Sequence, residues 1–144
     1  MIGKLKPFSK SLHRSNDPKS RKVVKEYLKQ RGIEVEDNKD KYGVDLVATD
    51  GSMKIEVEHR SVWDTKIFPF DTVNIPERKG KFFKEKSVSY AILSKDYSRI
   101  GMIKGEELKK HLIRENLYMN PNKYVKKGEY FYAVPLEAFQ WDSV

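Results

Sequence analysis

From residue 53 to residue 60 the chain reads Met-Lys-Ile-Glu-Val-Glu-His-Arg, apolar and charged side chains alternating with a period of two. That period predicts a strand with Met53, Ile55, Val57 and His59 on one face and Lys54, Glu56, Glu58 and Arg60 on the other. Just upstream, Gly43 to Thr49 (GVDLVAT) predicts a second strand, and Asp50-Gly51 between them is a strong two-residue hairpin signal. Pairing across that turn brings Asp45 level with Glu56. Before the hairpin, Asp17 followed by Pro18 predicts a helix start, Val23, Val24, Tyr27 and Leu28 form its apolar stripe, and Gly32 ends it. Ile33 to Val35 predicts a short strand.

Downstream the pattern is coarser. Residues 61 to 76 (SVWDTKIFPFDTVNIP) lack a clear period and predict a long irregular segment; Pro76 opens a predicted helix, PERKGKFFKEK. Ser87 to Ser94 is the most apolar strand of the chain, and Arg99 to Lys104 pairs with it across residues 95–98. A second helix is predicted over Gly105 to Arg114, and a hairpin over Lys123 to Val134 turning at Lys127-Gly128. The order α, β, β, β, α, β, β, α, β, β predicts an α/β domain with a mixed central β-sheet flanked by helices.

A length of 144 residues suits one domain with a real core, here residues 17–144 behind an arm of residues 1–16. No window is apolar for long enough to span a bilayer, and the basic start MIGKLKPFSKSLHR lacks the apolar stretch of a secretory signal. With no cysteine, disulfides and thiolate chemistry are excluded, and the expected setting is intracellular, in the cytoplasm. The three histidines have no metal-ligand spacing. Charge changes the picture more. Residues 1–31 hold ten Lys/Arg and two acids, so they carry the whole net charge of +8, while the remaining 113 residues are neutral. A basic amino-terminal part on a neutral body points to a polyanionic partner, nucleic acid being the expected one, although a charged tail that only aids solubility has the same composition.

The chemistry lies in the hairpin. Asp45, Glu56 and Glu58 share one patch, and their mutual repulsion has to be relieved by solvent, by a neighbouring lysine or by a hard divalent cation. Mg²⁺, with Mn²⁺ as a substitute, takes one or two carboxylates, keeps several waters, and activates one of them for attack on a phosphate. The bland alternative is the wet face of an amphipathic strand. His59 is expected to be a satisfied core histidine. Arg60 shares the acid face, either toward phosphate or paired with Glu58. Of Trp63, Phe68 and Phe70, at least two are expected to cap the core, the rest being available for base stacking.

A helix, a strand bearing Gly43-Val44-Asp45-Leu46, a tight turn and a strand bearing Ile55-Glu56-Val57-Glu58 together resemble the PD-(D/E)XK nuclease superfamily, most closely its small Holliday junction resolvase-like and phage-type members. The resemblance spans about residues 18 to 94. It implies a restriction-endonuclease-like fold and a metal-dependent DNA endonuclease acting on phosphodiester bonds, with selectivity for a junction or a flap among its expected forms. Asp45 and Glu56 would hold the metal, with Glu58 a third ligand or the residue that positions the water. The sequence departs from the family pattern in three places. Val44 precedes the aspartate where many members have proline. Glu58 stands where lysine is usual, and Lys79 of the following segment is the basic residue that would return to the site. Resolvase-like members also carry a glutamate early in the first helix, where Arg21 stands here, leaving Glu26 as the helix acid that would replace it. Lys19, Arg21, Lys22, Lys25, Arg60 and Arg78 are the expected phosphate contacts, and one site per small domain suggests a homodimer. Two readings from other classes remain open: a non-catalytic nucleic-acid-binding protein on a degenerate nuclease fold, and a small structural protein in which the acids are incidental.

Overall fold

The computed structural model describes residues 17–40, 42–85, 87–113 and 130–144. The basic arm and most of the predicted 123–134 hairpin lie outside them. Helix α1 is Pro18–Lys29. Asp17 caps it by accepting from the Ser20 backbone N–H at 3.3 Å, Pro18 fills the first helical position, and Gly32 ends the turn at φ +79°.

Nine strands follow among the described residues: β1 (Val35–Asp37), β2 (Leu46–Ala48), β3 (Lys54–His59), β4 (Thr72–Pro76), β5 (Val88–Leu93), β6 (Arg99–Lys104), β7 (Leu112–Ile113), β8 (Phe131–Pro135) and β9 (Gln140–Ser143). Six form a mixed central sheet in the order β1-β2-β3-β5-β6-β9, with β3 and β5 parallel and the other pairs antiparallel. The predicted mixed sheet is therefore present, but among the described residues a helix longer than one turn covers only one of its faces. Val24 and Leu28 of α1 cover one face, packing on Leu46, Ile55, Val57, Ala91 and Leu93. A second, three-stranded sheet, β4-β8-β7, and a 3-10 segment, Glu77–Phe83, belong to the other face, whose core includes Trp63, Val73, Ile75, Phe83, Tyr90, Ile92 and Val134.

Three elements differ from expectation for identifiable reasons. β4 lies inside the segment expected to be irregular; its Val73 and Ile75 are fully buried between half-buried Thr72, Asn74 and Pro76. The helix expected after Pro76 is a continuous 3-10 segment that contains Gly80, where an added Cβ would collide with the Tyr132 hydroxyl. The helix expected over residues 105–114 stops after Gly105–Leu108 (α2), because Leu112 and Ile113 pair with Tyr132 and Phe131 of β8. Sheet pairing there overrides helical spacing. Among the described residues no helix is long and apolar enough to cross a membrane.

Candidate active site

The hairpin register places the acids. Leu46 pairs with Ile55 and Val47 with Lys54, centred on Asp50-Gly51, so Asp45 extends β2 opposite Glu56. The backbone ladder stops at Leu46, and the Asp45 carboxylate takes the next β3 donor, accepting from the Val57 N–H at 2.8 Å. The segment before it is pinned by Asn38, whose side chain donates to the Val44 carbonyl at 3.0 Å and whose N–H donates to the Asp45 carbonyl at 3.0 Å. Gly43 permits that approach, since a Cβ there would lie 2.7 Å from Asn38 Nδ2. Asp45 is 3% exposed and Glu56 is 2% exposed, unusual burial for two carboxylates on adjacent strands.

What lies between Glu56 and Glu58 is a lysine. Lys79, from the 3-10 segment, places Nζ 3.7 Å from Glu56 Oε2 and 3.5 Å from Glu58 Oε2. Glu58 has two further partners: Arg60 Nε lies 2.9 Å from its Oε1, and the Tyr90 hydroxyl donates to its Oε2. Tyr90 comes from β5, in register with Glu56. Arg60 in turn donates to the Asn74 carbonyl and the Tyr90 oxygen, both at 3.2 Å. Five separate pieces of chain, with Asp45 included, thus converge on one cluster.

The electrostatics follow from that packing. Burial alone would push the Glu58 carboxyl up; the charges of Arg60 and Lys79, with hydrogen bonds from Tyr90 and Lys79, outweigh it and hold the pKa at about 2. Burial pulls the Lys79 ammonium down, but Glu58, Glu56 and Asp45 outweigh burial and Arg60, and its pKa is raised. Burial and the neighbouring Glu58 raise Tyr90 well above 10, so it remains a phenol and a donor. The cluster sets three acidic side chains against two cations, with Arg21 close by: Asp17, Ser20, Arg21, Asp45 and Val57 line one narrow crevice at the start of α1.

Of the expected site residues, Asp45, Glu56, Glu58, Lys79 and Arg60 come together. Glu26 does not: it is exposed, two residues from both Val24 and Leu28 and hence about 200° around the helix from the face that meets the sheet. Among the described residues no group of three or more His, Asp or Glu side chains is arranged to hold a metal ion. The buried oxygen donors here are the carboxylates of Asp45 and Glu56, from opposite positions of the hairpin, with the Ser20 hydroxyl buried and unpartnered in the crevice beside Asp45. An oxygen-only set of two carboxylates suits Mg²⁺ completed by water; Glu58 is committed to its cations and the phenol.

The expected phosphate contacts divide. Lys19 and Lys22 are exposed on α1, Lys19 with its Nζ 4.5 Å from the centre of the Tyr97 ring, and Arg78 is exposed beside Lys79. Arg21 and Lys25 both pair with Asp37, at 3.2 and 3.0 Å. Arg60 is the partner of Glu58, as one of its two readings had it. His59 is satisfied, stacking on Tyr97 with Nε2 3.0 Å from the Lys95 carbonyl oxygen. Trp63 and Phe68 are buried in the core and Phe70 is exposed. Sequence reasoning missed Tyr90 and Asn74. The available signal was Tyr90 itself, since a tyrosine in an otherwise apolar buried strand needs a partner for its hydroxyl. No family model matches the chain, and no curated protein matches it in sequence.

Proposed function

We propose that this chain is a metal-dependent DNA endonuclease of the PD-(D/E)XK type on a restriction-endonuclease-like fold. The observation that carries the reading is the position of Lys79, with Nζ at 3.7 Å from Glu56 and 3.5 Å from Glu58. The strand position where the family has lysine holds Glu58, and a lysine from the next segment reaches the same cluster. Asp45 and Glu56 would hold Mg²⁺ or Mn²⁺, which when bound lowers the pKa of a coordinated water and offsets charge on the phosphate. Lys79, cationic at neutral pH, orients the attacking water and offers positive charge to the phosphate oxygens. Glu58, held by Arg60 and Tyr90, fixes where that ammonium sits. Lys19, Lys22 and Lys29 fall within about 80° of the α1 surface and hold the DNA backbone in register. A homodimer would supply the second site needed to cut both strands.

The test is incubation of labelled duplexes, flaps and four-way junctions with Mg²⁺ and with Mn²⁺. Cleavage of at least one substrate is expected, abolished in Asp45→Asn and in Lys79→Met. Cleavage indifferent to both substitutions, or none across the panel, refutes the reading. A second reading is favoured by the charge balance: Arg60 and Lys79 offset the glutamates, and Arg21, which also pairs with Asp37, lies beside Asp45. A self-neutralised cluster of that kind suits a non-catalytic DNA-binding protein on the same fold. It predicts salt-sensitive DNA binding with no effect of divalent ions on stability.

A further inference from the structure

Opposite the acid cluster on the same sheet face is a groove that the catalytic reading leaves unused. Registers across the central sheet align Glu58 with Ile92, Ile92 with Gly101 and Gly101 with Trp141. These four residues form one row. Three strand spacings of about 4.8 Å put Trp141 about 14 Å from Glu58. Gly101 lets the indole lie over the sheet, since a Cβ there would come within 2.6 Å of the ring. Trp141 meets Trp63 edge-on and stacks beside Phe68, and its N–H donates to the Leu136 carbonyl at 2.8 Å. Around it opens a groove of about 690 Å³, within the size range of small-ligand sites.

Its walls are apolar beyond what folding requires: Ile67 is 73% exposed and Trp141 38% exposed, with Val62 and Phe70 also exposed nearby. Its rim is charged. Lys66 and Arg99 line it, and neither has an ion-pair partner among the described residues; of the two rim acids, Asp142 is taken by Arg31 at 2.7 Å, leaving Glu137. An apolar and aromatic slot edged by uncommitted cations matches a nucleobase with its phosphate better than a peptide side chain. The turn from Arg60 to Trp63, closed by the Trp63 N–H on the Arg60 carbonyl at 3.0 Å, joins slot and cluster directly.

We infer that this groove receives an unpaired nucleobase of the DNA substrate, about four stacked nucleotides from the phosphate at the acid cluster. The inference rests on the nuclease reading for its substrate and makes that substrate one with a single-stranded segment, since a base inside a duplex cannot enter the slot. The test is fluorescence anisotropy in EDTA with a labelled eight-nucleotide oligo(dT) and with a blunt duplex of equal length. Trp141→Ala and Ile67→Glu are the variants; the second changes a side chain that the fold leaves exposed, so it keeps the test valid if the first unfolds. Both are expected to weaken oligo(dT) binding about 5- to 100-fold while changing duplex binding less than about twofold. Unchanged oligo(dT) binding in Ile67→Glu, or equal losses on both DNAs, overturns the inference. So does a wild-type dimer that Ile67→Glu dissociates without altering oligo(dT) binding, which would assign the groove to a second copy of the chain. Because these assays contain no divalent ion, the slot stands or falls separately from cleavage.

Discussion

Replacing Lys79 by methionine keeps the length of the side chain and removes its charge. Each of its ion pairs, at 3.7 and 3.5 Å, has a Coulomb energy of about 4.5 kcal/mol at an effective dielectric of 20. The net cost is smaller. Glu58 keeps Arg60 at 2.9 Å, so the penalty falls on Glu56, which is 2% exposed and sits beside Asp45. A carboxyl so placed escapes by taking up a proton, and at pH 7 that costs about 1.4 kcal/mol for each pH unit above its ordinary pKa. The ceiling is therefore roughly 3 kcal/mol, or roughly 6–12 °C in Tm for a domain of this size. The sign with pH is fixed. In the variant the folded state holds a proton that the unfolded state has released, so stability falls as pH rises. The difference from wild type should reach at most about 3 kcal/mol at pH 7 and shrink by up to about 1.4 kcal/mol per pH unit down to about pH 5. Urea unfolding followed by circular dichroism at pH 5, 6 and 7 measures it. A difference below about 1 kcal/mol, or one that does not change with pH, would mean that Lys79 does not hold these carboxylates.

In Asp45→Asn, divalent ions should no longer stabilise the fold, whereas in wild type Mg²⁺ at a hundred times its Kd adds about 2.7 kcal/mol; a Tm series against Mg²⁺ checks both. Wild-type Glu58, with its pKa lowered from 4.5 to about 2, contributes stability that is complete above about pH 5.5 and disappears as pH falls toward 2. Glu58→Gln should therefore flatten the acid limb of the stability profile, measured by urea titration from about pH 6 to about pH 2.5. Glu26→Gln should leave cleavage rate and Tm at wild-type values, because the side chain is on the outer face of α1; a fall in activity would place it at the site. Replacing lysines of the outer stripe of α1 by glutamine should reduce the slope of log K against log salt by about 0.9 for each phosphate no longer neutralised, read from DNA binding between about 50 and 300 mM NaCl.

The local features were legible in the amino-acid order. Asp17-Pro18 and Gly32 bounded α1, and Asp50-Gly51 set a hairpin register that carried Asp45 to Glu56 without any long-range information. The alternation in β3 assigned each side chain to its face, His59 included. Legibility ended where a partner came from far along the chain. That Lys79 reaches both glutamates depends on how a 3-10 segment docks, and Tyr90 reaches Glu58 only because β3 and β5 are parallel and in that register. β9 was invisible because it is an exposed edge strand with no apolar alternation. The truncation of α2 depended on pairing with β8, about twenty residues further on.

The convergence on Glu58 also ties chemistry to folding order. The β2–β3 hairpin closes through residues about a dozen apart or less, a fast and local event. Lys79 and Tyr90 arrive only when β5 docks in parallel beside β3, and a parallel pair needs the whole intervening crossover, residues 60–87, to close first. Loop closure on that scale belongs among the slower steps of folding. A chain that has formed its hairpin alone presents bare acids without their lysine. The assembled cluster is thus a reporter of completed topology, and under the proposed reading a half-folded molecule would have no site with which to act.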